Sequence, residues 1–202
     1  ASAYADGPVR NLVLLATPID FAAMGSMVAP VLDGRVQVDD IVDETGNIPA
    51  GTLYSGFFMQ APTVEAAHHA RLLDNLWNDE FMEGYQAMGQ WTRDHIPFPG
   101  AAFAQTVEGL VRPNGLVNGT FELGGERVDL GAIQRPVLNI MAERDHIVPL
   151  AAAEPLLGLV GSPEKEELRL AAGHAGLVAG RKAAKVTLPG IADWFKAHSE
   201  EI

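Results

Sequence analysis

The sequence predicts an α/β chain: strands of a parallel sheet, interrupted by a long and mainly helical insertion. Three observations carry this. Asn11 to Thr17 (Asn-Leu-Val-Leu-Leu-Ala-Thr) is an apolar run without alternation, the pattern of a strand buried on both faces of a parallel sheet. Val137 to Ala142 is a second such strand. Between them the periodicity changes to that of amphipathic helices, and after Pro136 the α/β rhythm returns.

Taken in order, Ser2 to Asp6 reads as a helix end stopped by Gly7-Pro8. Pro18 closes the first strand, and Ile19-Asp20-Phe21 opens a loop. Within the insertion, Thr63 to Trp77 lines up Val64, Ala67, Leu72, Leu73 and Leu76. Glu80 to Arg93 does so with Phe81, Tyr85, Met88 and Trp91, and Ala101 to Val111 with Phe103, Val107, Leu110 and Val111. Gly46-Asn-Ile-Pro49 and Pro97-Phe-Pro-Gly100 break the chain between helices. Thr120 to Leu130 is a hairpin turning at Gly124-Gly125. The division expected is 1–21 and 134–202 as sheet core, with 22–133 as a helical cap carrying a short hairpin. In the second core segment Leu150 to Leu157 reads as one helix, Glu167 to Leu170 as a short strand, and Leu188 to His198 as a closing helix whose apolar side holds Ile191, Trp194 and Phe195.

Composition narrows the function. At 202 residues the chain can bury a sizeable core. Acids outnumber bases 26 to 14, for a net charge of −12, which argues against a nucleic-acid partner because phosphate calls for a basic face. There is no cysteine, so neither a disulfide nor a thiolate metal site can form. No apolar run is long enough to span a membrane. The start has no basic region, apolar core or initiator Met, and the chain is expected to begin in mid-domain. Adjacent His68 and His69 would sit about 100° apart on a helix, which suits no metal. Asp39, Asp40, Asp43 and Glu44 lack the spacing and central glycine of a calcium loop. Neither is counted as a metal site.

The chemistry lies in two strand ends. Arg135-Pro-Val-Leu-Asn-Ile-Met-Ala-Glu-Arg-Asp145 runs from a strand into a loop carrying an aspartate. Gly173-His174 follows the next strand. Acid then base, each at the carboxyl end of a parallel strand, is how the α/β-hydrolase fold delivers two members of a catalytic triad. Asp145 and His174 are therefore the candidate catalytic residues: an imidazole to take a nucleophile's proton, and a carboxylate to fix its tautomer. The nucleophile's strand-to-helix elbow is expected upstream, so the sheet is expected to be incomplete, with an unpaired strand edge that favours association.

Asn114-Gly-Leu-Val-Asn-Gly119, Glu122-Leu-Gly-Gly125 with Val128-Asp-Leu130, Pro136-Val-Leu-Asn-Ile140, Asp145-His-Ile-Val-Pro149 and Gly173-His-Ala-Gly176 resemble the carboxyl-terminal half of polyhydroxyalkanoate synthases, most nearly those called class III. Leu15-Ala-Thr-Pro-Ile-Asp-Phe21, Gly46-Asn-Ile-Pro49 and Trp91-Thr-Arg-Asp94 extend the likeness over nearly the whole chain. The resemblance implies polymerisation of (R)-3-hydroxyacyl-CoA into a polyester with release of CoA. It implies a cysteine thioester on an elbow shortly before the residue matched by Tyr4, activated by His174, with Asp145 activating the incoming 3-hydroxyl. No cofactor beyond the acyl-CoA substrate is implied, and no residues that hold CoA are indicated. The resemblance further implies a homo-oligomer through the cap, room for a second synthase subunit, and a cytoplasmic location at polymer granules. The chain alone is expected to be inactive. The alternatives are an esterase, depolymerase or thioesterase of the same fold, or a non-catalytic subunit derived from one.

Overall fold

A computed structural model describes residues 7–60, 70 and 72–199. Ser2, Tyr4, His68, His69 and most of the helix expected over Thr63 to Trp77 lie outside the described residues. The strands are β1 (Leu12–Leu15), β2 (Asn47–Ile48), β3 (Phe98–Pro99), β4 (Glu122–Leu123), β5 (Glu126–Arg127), β6 (Val137–Ala142) and β7 (Lys165–Leu170).

By packing, the chain forms two compact units. One comprises 1–32 with 107–202, the other 33–106. The first holds a three-stranded parallel sheet in the order β1-β6-β7, with Leu12 opposite Val137 and Val137 opposite Lys165. All six residues of β6 are buried on this central strand: five are apolar, and Asn139 donates from Nδ2 to the carbonyl of Ala153 at 3.1 Å. β1 is equally apolar but only half-buried, since it lies at an edge of this sheet. β7 is the other edge. There Lys165, Glu166, Glu167 and Arg169 are exposed, charges that discourage further pairing, whereas β1 carries none. This sheet, with helices packed on it and its acid and base at successive strand ends, is an incomplete α/β-hydrolase core.

Side chains of Leu138, Ile140 and Met141 meet Phe21, Met24, Val111, Ala152, Leu177 and Trp194 in the main core. A second cluster joins Ile19, Ile133, Val137, Leu156 and Val160. Leu150 to Leu157 does not form one helix. Helical turns cover Leu150–Ala153 and Leu156–Leu159, and Pro155, which has no N–H to donate, stands at the break. The closing helix, Leu188–His198, buries Trp194 but leaves Phe195 44% exposed, since neighbours on a helix face different ways. The β4–β5 hairpin turns at Gly124 and Gly125 with φ of 63° and 81°, the left-handed pair that a two-residue turn needs and that glycine adopts without strain.

The second unit carries helices Ala50–Gln60 and Asp79–Arg93, the small β2–β3 ladder and helix Gly100–Thr106. Asn78 caps the Asp79–Arg93 helix by accepting from the N–H of Phe81. Beyond Thr106 the helix expected to reach Val111 becomes a π-helical turn, Val107–Val111, with Val107 and Val111 buried. Among the described residues no helix is long and apolar enough to cross a membrane.

Candidate active site

The site is built where β6 and β7 end. The N–H of Glu143 donates to the carbonyl of Leu170 at 2.8 Å, and that of Arg144 to Ala172 at 3.0 Å, so the two loops leave the sheet side by side. Asp145 follows on the first loop. On the second, Gly173 is extended and His174 opens a short turn, His174–Leu177, anchored by buried Leu177.

The two candidate residues meet. Nδ1 of His174 lies 2.8 Å from Oδ2 of Asp145. The other carboxylate oxygen, Oδ1, accepts from the backbone N–H groups of Ile147 and Val148, each at 2.9 Å. The Asp145 side chain is fully buried, while that of His174 is 34% exposed. Burial by itself pushes the Asp145 carboxyl up. The hydrogen bonds from His174, Val148 and Ile147, with the attraction of His174, outweigh it and hold the group below its ordinary value. Asp145 is therefore an acceptor at neutral pH. In a neutral imidazole so placed, the proton between the pair sits on Nδ1, and Nε2 carries the free lone pair. A buried, fixed carboxylate and an accessible imidazole with its second nitrogen open have the geometry that the acid–base pair of a triad requires.

His146, directly after Asp145, is exposed. Asp39, Asp40, Asp43 and Glu44 are exposed too, and the Asp43 carboxylate is occupied by Thr45 and the N–H of Asn47. Among the described residues no three His, Asp or Glu side chains gather as a metal would require.

Two features of this unit escaped the sequence reading. Oδ1 of Asp20 caps the turn Phe21–Met27 through the N–H groups of Ala22 and Ala23, and also accepts from Nδ2 of Asn114 at 2.8 Å. The Oδ1 of Asn114 in turn accepts from the N–H of Phe21 at 2.9 Å. An Asp just before a helical turn was the visible signal for a cap; its partner 94 residues on was not. The second feature is a shared acceptor: Arg144 and Lys182 both donate to the carbonyl of Ala171.

No family model matches the chain. Curated relatives do. A poly(3-hydroxyalkanoate) polymerase subunit PhaC from Allochromatium vinosum is 35% identical over 195 residues, 96% of this chain and 55% of the relative. That of Haloferax mediterranei is 32% identical over 95% of this chain and 39% of its own length. The Thiocystis violacea subunit is 32% identical over 95% and 54%. The relatives of this chain are polyhydroxyalkanoate polymerases. It spans about half the length of the Allochromatium and Thiocystis polymerases. Among solved structures, a hydrolase from Pseudomonas aeruginosa superimposes with a TM-score of 0.47 at 18% identity, over 95% of this chain and 58% of that one. That likeness is too loose to add to the comparison with the polymerases.

Proposed function

We propose that this chain supplies the acid–base half of a polyhydroxyalkanoate polymerase. One observation carries the reading: the 2.8 Å bond from His174 to a buried Asp145 whose other oxygen is fixed by two backbone amides. The arrangement leaves Nε2 of His174 as an oriented base. In the polymerase reading, that nitrogen takes the proton of a cysteine thiol. The thiolate attacks the thioester carbonyl of (R)-3-hydroxyacyl-CoA, the C–S bond to CoA breaks, and CoA leaves with the proton. The 3-hydroxyl of the next acyl group then gives its proton to the His174–Asp145 pair and attacks the enzyme thioester. An ester C–O bond forms and the cysteine is released. The acyl-CoA is substrate, and no further cofactor is needed.

The relatives' names favour this reading over an esterase, depolymerase or thioesterase. A polypeptide of these 202 residues has no cysteine to acylate, and we propose that it makes no polymer alone. The same reading places hydroxyacyl-CoA and a growing polyester at the site, gives the cap a part in self-association with a second subunit as a further partner, and puts the assembly at polymer granules in the cytoplasm.

The test is a chimera. These residues replace the matching segment of the Allochromatium vinosum polymerase, and polymer is measured from 3-hydroxybutyryl-CoA. The expected outcome is polymer from the chimera and none from its His174→Ala variant or from the 202-residue chain. A soluble, cooperatively melting chimera that releases no CoA would overturn the reading, as would full activity after His174→Ala.

A further inference from the structure

A polar residue stands in the middle of β6, the one strand of the three-stranded sheet that is buried throughout. Asn139 is fully buried. Its Nδ2 donates to the carbonyl of Ala153 at 3.1 Å, with a weaker contact to the sulfur of Met141 at 3.5 Å. Among the described residues its Oδ1 meets no donor. A buried amide left half-satisfied lowers stability, a cost that the valine, leucine or isoleucine around it would avoid. Stability alone therefore does not account for an asparagine here, and what its one good bond holds does.

Ala153 ends the helical turn Leu150–Ala153. So short a turn leaves its last carbonyls without partners of its own. The carbonyl of Ala152 accepts from the N–H groups of Ile19 and Asp20, at 2.8 and 2.9 Å, and that of Ala153 accepts from Asn139. Any residue but proline supplies the two backbone donors at Ala152. Only the side chain at 139 supplies the one at Ala153. Upstream, the same segment runs into the acid. The N–H of Ala152 donates to the carbonyl of Pro149 at 2.8 Å, which ties the turn to the residue after Val148. Ile147 and Val148 present the N–H groups that hold Oδ1 of Asp145, each at 2.9 Å. A carboxylate is planar, so holding one oxygen aims the other, and Oδ2 faces Nδ1 of His174 at 2.8 Å.

We propose that Asn139 is a positioning residue for Asp145. By holding the end of the segment 145–153 on β6, it keeps the amides of Ile147 and Val148 where they aim the carboxylate at His174. The support comes from within the sheet, on a strand whose other five residues are apolar and fixed by packing, which is where a site that tolerates little displacement is best anchored. The geometric role stands without an assigned reaction; its consequence for CoA release rests on the polymerase reading.

The experiment is nuclear magnetic resonance of the 202-residue chain with isotope-labelled histidine. It reads the low-field proton on Nδ1 of His174, assigned by its absence in His174→Gln. Asn139→Leu and the smaller, strand-favouring Asn139→Val both remove the donor, and each should move that proton upfield or lose it to exchange. Val137→Ala, which removes core volume from the same strand and leaves Asn139 in place, should keep the proton where the native chain has it. Should Asn139→Leu fail to fold, Asn139→Val carries the test with less crowding. In the chimera the apolar variant that folds should lower kcat for CoA release about tenfold or more with KM unchanged, because a displaced acid misaligns the base without touching the substrate. An unmoved proton in both apolar variants overturns the proposal, as does a native chain that shows no such proton. An equal shift in Val137→Ala overturns it too, since that would mark a general loosening of the core. A moved proton beside a folded but inactive chimera keeps the positioning role and sinks the polymerase reading. An active chimera indifferent to loss of the Asn139 amide keeps that reading and sinks the positioning role.

Discussion

The sheet carries a histidine–carboxylate pair at each end, and the two are built in opposite ways. At the carboxyl ends of β6 and β7, Asp145 is fully buried and His174 is one-third exposed, 2.8 Å apart. At the amino ends of the strands, Nε2 of His198 lies 3.1 Å from Glu164, but here the imidazole is 16% exposed and the carboxylate 59%. The first imidazole uses only Nδ1 and leaves Nε2 open. In the second, Nδ1 faces the carbonyl of Trp194 at 2.8 Å, the ring lies 3.8 Å from that of Trp194, and Asn11 holds the His198 carbonyl at 3.2 Å. Both nitrogens face oxygen atoms, so neither is open to a substrate. A short contact between imidazole and carboxylate is thus no sign of catalysis. What differs is which partner is buried, and whether a ring nitrogen remains to take a proton.

The largest effect that would sharpen this contrast is His174→Ala in the chimera. It should reduce CoA release by about 10³-fold or more, since members of a triad act as a unit. His198→Ala should leave the rate unchanged. Comparable losses in both would erase the distinction. Asp145→Asn comes next. It leaves Nε2 in place but removes the carboxylate that helps take the incoming hydroxyl's proton, so elongation should fall by about 10²-fold, and first acylation by less. Single-turnover acylation measured beside steady-state polymerisation separates the two. Equal losses would contradict the assignment of the incoming hydroxyl to Asp145.

Acid stability separates the pairs in another way. The folded Asp145 carboxyl lies below its ordinary value of 3.8, so as pH falls the unfolded chain takes up that proton first. The stabilisation is complete above that value and disappears as pH drops through the folded one. Melting temperatures of the 202-residue chain between about pH 6 and pH 3 should therefore fall less steeply in Asp145→Asn than in the native chain. An identical slope would mean that the buried bond does not persist in solution.

How much of this the sequence disclosed depends on where each partner lies. β6 was legible because an unbroken apolar run has few other uses, and Gly124-Gly125 because its turn demands positive φ. Asp145 and His174 were legible because chain order and strand ends place them without side-chain detail. β1 misled in degree: the same apolar run is only half-buried at a sheet edge, and neighbour number does not show in composition. Pro155 was visible but underweighted. His198 gave no signal, since its partners come from Glu164, Asn11 and a carbonyl of its own helix. Arg144 and Lys182 meet on a backbone oxygen, an acceptor every residue possesses and no pattern marks.

The smallest expected effect tests the structural pair. His198→Ala removes the ring packed against Trp194 and should cost about 1–2 kcal/mol of unfolding free energy. Glu164→Gln removes only an exposed carboxylate from the same ring, and exposed ion pairs contribute about 0–1 kcal/mol. If the carboxylate acts solely through His198, the double variant should be no less stable than His198→Ala alone. Denaturant unfolding of all four chains closes that cycle. A Glu164→Gln cost that persists without the imidazole would trace instead to the start of β7, where the Glu164 carbonyl accepts from the N–H of Val137 and from Ser162. A cost larger than that of His198→Ala would mean that the exposed carboxylate, not the packed ring, holds the closing helix to the sheet.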